Sequence, residues 1–207
     1  MPDEILPFIP YIIPCILVVF AYLLGSISSA ILTCKTMGLP DPRTVGSNNP
    51  GATNVLRHGG KKAAAFTLIG DMFKGLVPVL IAKFSGLDTT WIMLVGLAAF
   101  LGHLYPIYFR LRGGKGVATA IGVYVGINWL AGLMMVVTWL FIAKGLKVSS
   151  LAALIATLLT PLYFHLLMHN QAITLGMCVI TLLIFWRHRS NIKNILDGTE
   201  NKIGPKD

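Results

Sequence analysis

Two short segments of this chain combine glycines with side chains that bind anions. Residues 46–57 read Gly-Ser-Asn-Asn-Pro-Gly-Ala-Thr-Asn-Val-Leu-Arg, and residues 110–119 read Arg-Leu-Arg-Gly-Gly-Lys-Gly-Val-Ala-Thr. Glycine and asparagine tolerate the backbone angles of tight turns, so N–H groups can converge on one point. Arginine and lysine add charge, and hydroxyls and amides add neutral donors. Both segments therefore predict phosphate binding, although each also fits a plain polar connection.

The glycines of the second segment surround Lys115 directly before an apolar run that we expect to be a helix. Helix N-termini attract anions through their unpaired N–H groups and their dipole. The segment is not a Walker loop, because Gly116 follows the lysine where that motif has Ser or Thr. A flexible basic loop beside a membrane is the alternative interpretation.

A third polar segment, residues 187–203, carries His188, Asn191 and Glu200. His188 and Asn191 are three residues apart, so they share a face if the segment is helical. We expect Gly198 to end that helix and Glu200 to follow in the tail. An amphipathic basic tail on the membrane surface is the alternative.

Three further ionisable residues fall inside apolar runs. Asp71 and Lys74 are three residues apart, and His103 lies in the next run. A charge at the centre of a membrane helix costs about 2.5–3.5 kcal/mol on insertion scales. We therefore expect Asp71 and Lys74 to pair or to face a polar cavity, and His103 to be a buried, hydrogen-bonded imidazole.

The elements that must position these residues are membrane spans. The chain has 207 residues, 55% hydrophobic and 12% charged, whereas soluble domains carry about a quarter charged residues. A span needs roughly 20 apolar residues, so the chain has room for about seven. Seven apolar runs can be drawn, at residues 10–33, 62–84, 90–109, 117–128, 130–144, 149–168 and 171–186. We predict an all-α integral membrane bundle of about seven transmembrane helices, forming a single domain over residues 1–207.

The distribution of Lys and Arg predicts how the bundle is oriented. Fifteen of the 17 lie in one set of connections, Lys83 lies in the opposite set and Lys74 lies in a span. Since basic residues mark the cytoplasmic side, we expect the N-terminus outside and the C-terminus in the cytoplasm. The motif loops are then all cytoplasmic, at residues 43–61, 110–117 and 187–207.

The remaining composition excludes other classes of protein. The net charge of +9 comes in short clusters between apolar runs, which favours loops beside anionic lipid over a nucleic-acid surface. Asp3 and Glu4, with no Lys or Arg near them, do not form the basic start of a signal peptide. We therefore expect the first apolar run to be retained. No His or Cys spacing predicts a metal site.

In their order along the chain, the motifs resemble those of the bacterial acyl-phosphate-dependent glycerol-3-phosphate acyltransferases, called PlsY. The resemblance covers almost the whole chain, through Gly46-Ser47 to Arg57, Asp71-x-x-Lys74-Gly75, Gly102-His103 to Thr119, and His188 to Ile203. In the first motif, Asn48 and Pro50 stand where the family commonly has Gly and Ile.

The resemblance implies a seven-helix enzyme of the bacterial cytoplasmic (inner) membrane with a cytoplasmic active site. It implies transfer of a long-chain fatty acyl group from acyl phosphate to the 1-position of glycerol 3-phosphate. The products are lysophosphatidic acid and phosphate, at the first step of phospholipid synthesis. No cofactor is implied. The expected partners are the two substrates, membrane lipids and the enzyme that makes acyl phosphate.

The resemblance and the chemistry of the loops together predict the site. Catalytic roles are expected for Ser47, Arg57, Lys115, His188 and Asn191. Substrate-binding roles are expected for Asn49, Thr53, Asn54, Gly113, Gly114, Gly116 and Glu200. Within this set, Lys115, Arg57 and the glycine amides are expected to hold phosphate, and His188 with Asn191 to position glycerol 3-phosphate.

Two alternatives stay open at this point. The proton of the attacking hydroxyl could pass to His188 or to a phosphate oxygen of the substrate itself. A transporter of a phosphorylated anion would also use cytoplasmic phosphate-binding loops and the Asp71–Lys74 pair, although no inverted repeat is visible. The His-x-x-x-x-Asp signature of other glycerol-phosphate acyltransferases is absent.

Overall fold

The computed structural model describes residues 9–203, so the expectations for Asp3, Glu4 and Lys206 lie outside the described residues. Between residues 9 and 203 the chain forms helices and no strand. The elements are α1 (Ile9–Gly25), α2 (Ser29–Thr36), α3 (Ala52–Phe84), α4 (Thr89–Leu104), a 3₁₀ turn (Ile107–Phe109), α5 (Val117–Ile127), α6 (Trp129–Leu146), α7 (Ser149–Met168), α8 (Gln171–Arg187) and α9 (Arg189–Leu196).

The helices have the length and composition of membrane spans. Four of them are long and apolar enough to cross a bilayer alone, namely α3, α4 with the following 3₁₀ turn, α6 and α7. The pairs α1–α2 and α8–α9 reach that length only together, and they are bent by 42° and 61°. The predicted all-α membrane bundle is confirmed, with four to six apolar spans by this measure and α5 as a shorter apolar helix.

Contacts between the connections define two ends of the bundle. At the end that we call the motif end, the Ile203 N–H donates to the Lys147 carbonyl at 2.7 Å, and Thr53 Oγ1 lies 3.3 Å from Ser149 Oγ. The segments that meet there are residues 37–51, 105–116, 147–148 and 188–203. At the opposite end, Asn170 Nδ2 donates to Thr89 Oγ1 at 3.0 Å. The three motif loops of the sequence therefore do lie together.

The first predicted span, residues 10–33, is broken in the structure. Residues 26–28 separate α1 from α2, and the Ser28 side chain caps α2 by accepting from the Ile31 N–H. Gly25 packs directly against the Ala99 carbonyl of α4, leaving no room for a Cβ atom. The break follows from this close approach and from the serine cap, neither of which interrupts the apolar pattern of the sequence.

The prediction of a loop over residues 43–61 is wrong for its second half. Helix α3 begins at Ala52, after the extended residue Gly51, and continues to Phe84 with a kink at Gly60, where φ is +79°. Thr53, Asn54 and Arg57 are therefore helical. Turn-forming residues concentrate in 46–51, and the polar residues that follow them belong to the first turns of the helix.

The other helix boundaries are close to the predicted ones. Helix α4 ends at Leu104 instead of 109 because Pro106, which lacks an N–H, starts the 3₁₀ turn. The separation of α5 from α6 at Asn128 is confirmed. The side chain of Asn128 accepts from the N–H groups of Leu130 and Ala131, so it caps the start of α6.

Glycines bring α3 and α5 into close contact. A Cβ atom on Gly75 of α3 would overlap the Thr119 carbonyl, and one on Gly122 of α5 would overlap the Met72 carbonyl. Small residues allow this kind of backbone approach between membrane helices. The packing fixes the start of α5, and with it the segment 110–116 that leads into the helix.

Candidate active site

Side chains from three segments form a continuous chain of hydrogen bonds at the motif end. Lys115 Nζ donates to Asn191 Oδ1, and Asn191 Nδ2 donates to Glu200 Oε1 at 2.6 Å. The same Glu200 oxygen accepts from Ser150 Oγ at 2.7 Å. Lys115, Asn191 and Glu200 were all predicted site residues, and the structure brings them together. Ser150, on the first turn of α7, was not predicted.

The electrostatic surroundings of Lys115 prepare it for an anion. Burial lowers the pKa of Lys115 below its ordinary value, the negative charge of Glu200 opposes this shift, and the charges of Arg187 and Arg57 add to it. An ammonium group that is partly desolvated and close to other cations gains when a phosphate approaches. Glu200 is near enough to support Lys115, while Asn191 separates the two charges.

His188 lies where α8 ends and α9 begins, and only 4% of it is exposed. Its Nδ1 atom is 2.8 Å from the Ile184 carbonyl oxygen. Burial lowers the pKa of His188 to about 4, the Ile184 carbonyl partly opposes this, and the charge of Lys115 adds to it. The imidazole is therefore neutral at neutral pH. Nδ1 carries the proton, since the carbonyl can only accept, and Nε2 keeps a lone pair.

The glycine segment is held by its carbonyls as well as by its amides. Arg187 Nη2 donates to the Gly113 carbonyl at 2.7 Å, and its Nε donates to the Gly114 carbonyl at 3.1 Å. The Gly114 N–H donates to the His103 carbonyl at 3.1 Å. The Gly114 N–H is therefore already bonded within the protein. This contradicts the expectation that all the glycine amides face phosphate.

Gly116 is the residue in this segment whose backbone requires glycine. It is the N-cap of α5 with φ +91°, a left-handed conformation that side chains with a Cβ rarely adopt. Phe100 and Leu104 also fill the space that a Cβ atom would need. The first N–H groups of α5 follow directly, and helix N-termini present such groups to anions.

In the first motif, Asn54 organises the loop. Its Oδ1 accepts from the Ser47 N–H at 3.1 Å, and its Nδ2 donates to the Pro42 and Val45 carbonyls at 2.9 and 3.0 Å. Because the side chain is buried and engaged with the backbone, it holds the loop in shape. Its expected role as a donor to substrate stays a prediction. In this structure, its Nδ2 group already donates to the two backbone carbonyls.

The neighbours of Asn54 remain more open. Ser47 is exposed, Asn49 is partly exposed, and no contact between the described side chains links either of them to Lys115. Asn48 has φ +55°, a left-handed conformation that Asn tolerates better than most residues. This explains how Asn48 can stand where the family commonly has Gly.

Two contacts join the first motif to the rest of the site. Thr53 Oγ1 lies 3.3 Å from Ser149 Oγ, and Arg57 Nη2 donates to the Lys202 carbonyl at 3.4 Å. The first motif therefore meets both the start of α7 and the C-terminal segment. Arg57 keeps further donors of its guanidinium available for a ligand.

Sequence reasoning missed two kinds of residue at the motif end. Ser149 and Ser150 follow the basic connection at Lys147. Two hydroxyl groups at the start of a helix on the basic side of the bundle could have indicated further residues of the site. Arg187 was counted only as a positive charge. Its role as a clamp on Gly113 and Gly114 depends on a contact 73 and 74 residues away in the sequence, which nothing local indicates.

Comparisons with known proteins identify the family of the chain. The sequence model of the family described as "Glycerol-3-phosphate acyltransferase" matches residues 15–198. A glycerol-3-phosphate acyltransferase of Ruthia magnifica subsp. Calyptogena magnifica is 56% identical over 198 residues, covering 94% of this chain and 99% of that protein. One of Thioalkalivibrio sulfidiphilus is 56% identical over 190 residues, covering 92% and 94%.

Two solved structures have the same fold. Both are of PlsY (YgiH), an integral membrane glycerol 3-phosphate acyltransferase, in its glycerol 3-phosphate form and its lysophosphatidic acid form. Their TM-scores are 0.88 and 0.87 at 41% and 40% identity, and each covers 92% of this chain and 96% or 95% of its own. The transporter alternative finds no support in these relatives. The chain therefore belongs to the glycerol-3-phosphate acyltransferase family and is a multi-pass membrane enzyme.

Proposed function

We propose that this enzyme transfers a fatty acyl group from acyl phosphate to the 1-hydroxyl of glycerol 3-phosphate. The products would be lysophosphatidic acid and inorganic phosphate. The observation that carries the proposal is the half-buried Lys115 within the glycine segment, which donates to Asn191, while Asn191 in turn donates to Glu200. The two ligand forms of the solved relatives support the choice of acceptor and product.

The reaction must bring two phosphate groups together although their charges repel. The motif end offers cationic groups from separate segments, with Lys115 on the glycine segment and Arg57 on α3. The effect of Arg57 on the pKa of Lys115 supports their acting on neighbouring phosphates. Ser47, Asn49 and Thr53 add neutral donors that we assign to the acyl phosphate or to the oxyanion.

The bond changes are those of a simple acyl transfer. The C1 hydroxyl oxygen attacks the acyl carbon, and the tetrahedral oxyanion collapses as the phosphate leaves with the C–O bond electrons. The proton of the hydroxyl needs an acceptor. A histidine whose pKa is about 4 is a weak base, whereas a phosphate monoester has its second pKa near 6. We therefore assign the proton to a phosphate oxygen and assign His188 to positioning the acceptor.

We also propose how the enzyme sits in its membrane. Seven crossings, with the motif end in the cytoplasm, agree with the alternation of connections between the two ends and with the basic residues of the motif end. The membrane would be the bacterial inner membrane. The proposed partners are membrane lipids and the enzyme that makes acyl phosphate, because a mixed anhydride is a reactive donor that has to be supplied.

The experiment is phosphate release by the purified enzyme given glycerol 3-phosphate and a long-chain acyl phosphate. We expect turnover that depends on both substrates and gives 1-acyl product. Comparable turnover with an acyl thioester would contradict the assignment of Lys115 and Arg57 to the phosphate of the donor. Uptake of glycerol 3-phosphate into liposomes without phosphate release would instead favour transport.

A further inference from the structure

Three ionisable side chains lie buried inside the bundle, away from the chain of hydrogen bonds that holds Lys115. Asp71, Lys74 and His103 are 2%, 5% and 6% exposed. Lys74 Nζ is 2.9 Å from Asp71 Oδ1, so the predicted pairing of these two residues is confirmed. The predicted burial of His103 is confirmed, but its Nδ1 atom lies 3.7 Å from the same oxygen, too far for a hydrogen bond, and has no other hydrogen-bond partner among the described residues. The need to neutralise two buried charges explains why Asp71 and Lys74 pair. It does not explain why the pair lies beside the break between α1 and α2.

Lys74 makes a second contact that charge balance does not require. Its Nζ donates to the Ile27 carbonyl at 2.7 Å, within the break between α1 and α2. In a continuous helix that carbonyl would accept from the Ile31 N–H, which here donates to Ser28 Oγ instead. A carbonyl left without its helical partner inside a membrane needs another donor. Lys74 therefore stabilises the broken backbone.

The break in turn leads to the connection that precedes the glycine segment. The Ser26 hydroxyl donates to the Tyr22 carbonyl at 2.8 Å and accepts from the Ile107 N–H at 3.3 Å. A small cavity lies between the break and the glycine segment. Its lining includes Lys74, His103, Gly113 and Gly114.

His103 closes the connection to the glycine segment directly. Its carbonyl accepts from the Gly114 N–H, and its imidazole lies against the Cα of Gly114, where a Cβ atom would overlap Nε2. Lys115 is the next residue. Two routes thus lead from the buried Asp71–Lys74 pair to Lys115, one through His103 and one through the helix break.

We propose that Lys74, paired with Asp71, is a positioning residue that holds the glycine segment and so places Lys115 for phosphate. The inference rests on the proposed phosphate-binding role of Lys115. It assigns to the intramembrane pair a function in the reaction that is separate from neutralising a buried charge.

The test is a double-mutant cycle between Lys74→Met and Lys115→Ala, read as kcat/KM for phosphate release. In the parent enzyme, Lys115→Ala should lower activity by about one to two powers of ten, since a charged hydrogen bond contributes that much. If Lys74 acts by placing Lys115, the same change in the Lys74→Met background should cost less than about threefold. If Lys74 were merely structural, Lys74→Met would lower only the folded fraction of the enzyme. The loss of kcat/KM caused by each single substitution would then multiply in the double mutant.

Lys83→Met is the matched control. Lys83 lies on the same helix and also donates to a backbone carbonyl, that of Ile127 at 3.3 Å, but at the opposite end of the bundle. In the Lys83→Met background, Lys115→Ala should keep its full effect. If Lys74→Met does not fold, Asp71→Asn with Lys74→Met removes both charges together and serves as the background, because it leaves no uncompensated charge.

The outcomes separate the inference from the proposed function. An undiminished Lys115→Ala factor in the Lys74→Met or doubly neutral background would overturn the positioning role and leave the function intact. Lack of an effect of Lys115→Ala in the parent enzyme would overturn the phosphate-binding assignment itself.

Discussion

The Nδ1 atom of His188 lies 2.8 Å from the carbonyl oxygen of Ile184, one helical turn earlier in α8. This contact fixes the tautomer of the buried imidazole and leaves the Nε2 lone pair as its free polar feature. A neutral histidine accepts a hydrogen bond and does not attract a phosphate by charge. His188 is therefore suited to orient a hydroxyl beside the cations of Lys115 and Arg57.

The depressed pKa of His188 predicts a specific pH dependence of stability. The unfolded chain binds a proton at this residue as the pH falls below its ordinary pKa of 6.5, whereas the folded protein binds one only near pH 4. Stability is thus fully present above pH 6.5 and decreases as the pH falls towards 4. Thermal unfolding in detergent should show a shallower decrease for His188→Gln. His165→Gln, which replaces an exposed histidine, is the control, and an equal slope in His188→Gln and the parent would contradict the assignment.

Kinetics of the same variant distinguish positioning from base catalysis. His188→Gln keeps a polar group but loses the ring nitrogen in its fixed place, so we expect mainly a higher KM for glycerol 3-phosphate. The acidic limb of kcat/KM should persist, because it reports the second ionisation of a phosphate near pH 6. A large fall in kcat at unchanged KM, with loss of that limb, would make His188 the base.

Glu200 should act through Asn191 and through its charge. Glu200→Ala removes the acceptor shared by Asn191 and Ser150, and a charged hydrogen bond contributes about 1.5–3 kcal/mol. We expect kcat/KM to fall by about one to two powers of ten. Glu200→Gln keeps an oxygen acceptor and should lose less. Asp197→Asn, which neutralises an exposed acidic residue nearby, is the control. Equal losses of kcat/KM in Glu200→Gln and Glu200→Ala would show that only the charge of Glu200 matters.

Arg187 should be required for the geometry of the glycine segment. Lysine at this position cannot donate in a planar fork to the Gly113 and Gly114 carbonyls together. Arg187→Lys should therefore lower kcat/KM about tenfold or more, on the basis of one lost charged hydrogen bond. Arg189→Lys is the matched control, because Arg189 is exposed and stacks on Trp186. Equal activities of the two variants would exclude the clamp.

Single cysteines test the orientation of the bundle. In a background without Cys15, Cys34 and Cys178, Ser85→Cys and Lys193→Cys place exposed thiols at opposite ends. Ser85 is preferable to its neighbour Asp88, whose side chain caps α4. An impermeant reagent should label Ser85→Cys in intact cells and label Lys193→Cys only after lysis. Labelling of Lys193→Cys from outside would show that the motif end faces the outside of the cell, and it would contradict the proposed cytoplasmic site.

The sequence predicted most of the helices because apolar runs and the demands of a bilayer leave few options. The separation of α5 from α6 was predicted because two short apolar runs meet near Asn128, and the structure adds the reason, since Asn128 caps α6. The helical start of α3 could not, because Thr53, Asn54 and Arg57 suit a polar loop as well as a first helical turn. The site residues of the motifs were predicted as a set, from the anion-binding residue types of the first two loops and from the family resemblance, which supplied the role of Glu200.

What the sequence concealed is which of these residues touch the ligand and which support others. Asn54 and the Gly114 amide have the chemistry of ligand donors, yet the fold uses both to hold backbone. Ser150 and Arg187 have ordinary sequence surroundings and gain their roles only through distant contacts. Such assignments depend on tertiary packing, which local patterns do not encode.

The shortness of helix α5 has consequences for how the two substrates reach Lys115. It contains 11 residues, rises about 16 Å and covers roughly half of a hydrocarbon layer about 30 Å thick. Since its Asn128 end lies with the end opposite the motifs, the glycine segment stops below the level that a full span would reach. Eight of its 11 residues are buried against neighbouring elements, so the helix adjoins protein and not lipid, and the missing depth lies within the bundle, at Lys115. A water-soluble reactant then has less of the bilayer thickness to cross on its way to Lys115, while a long alkyl chain can stay in the hydrocarbon layer beside the bundle.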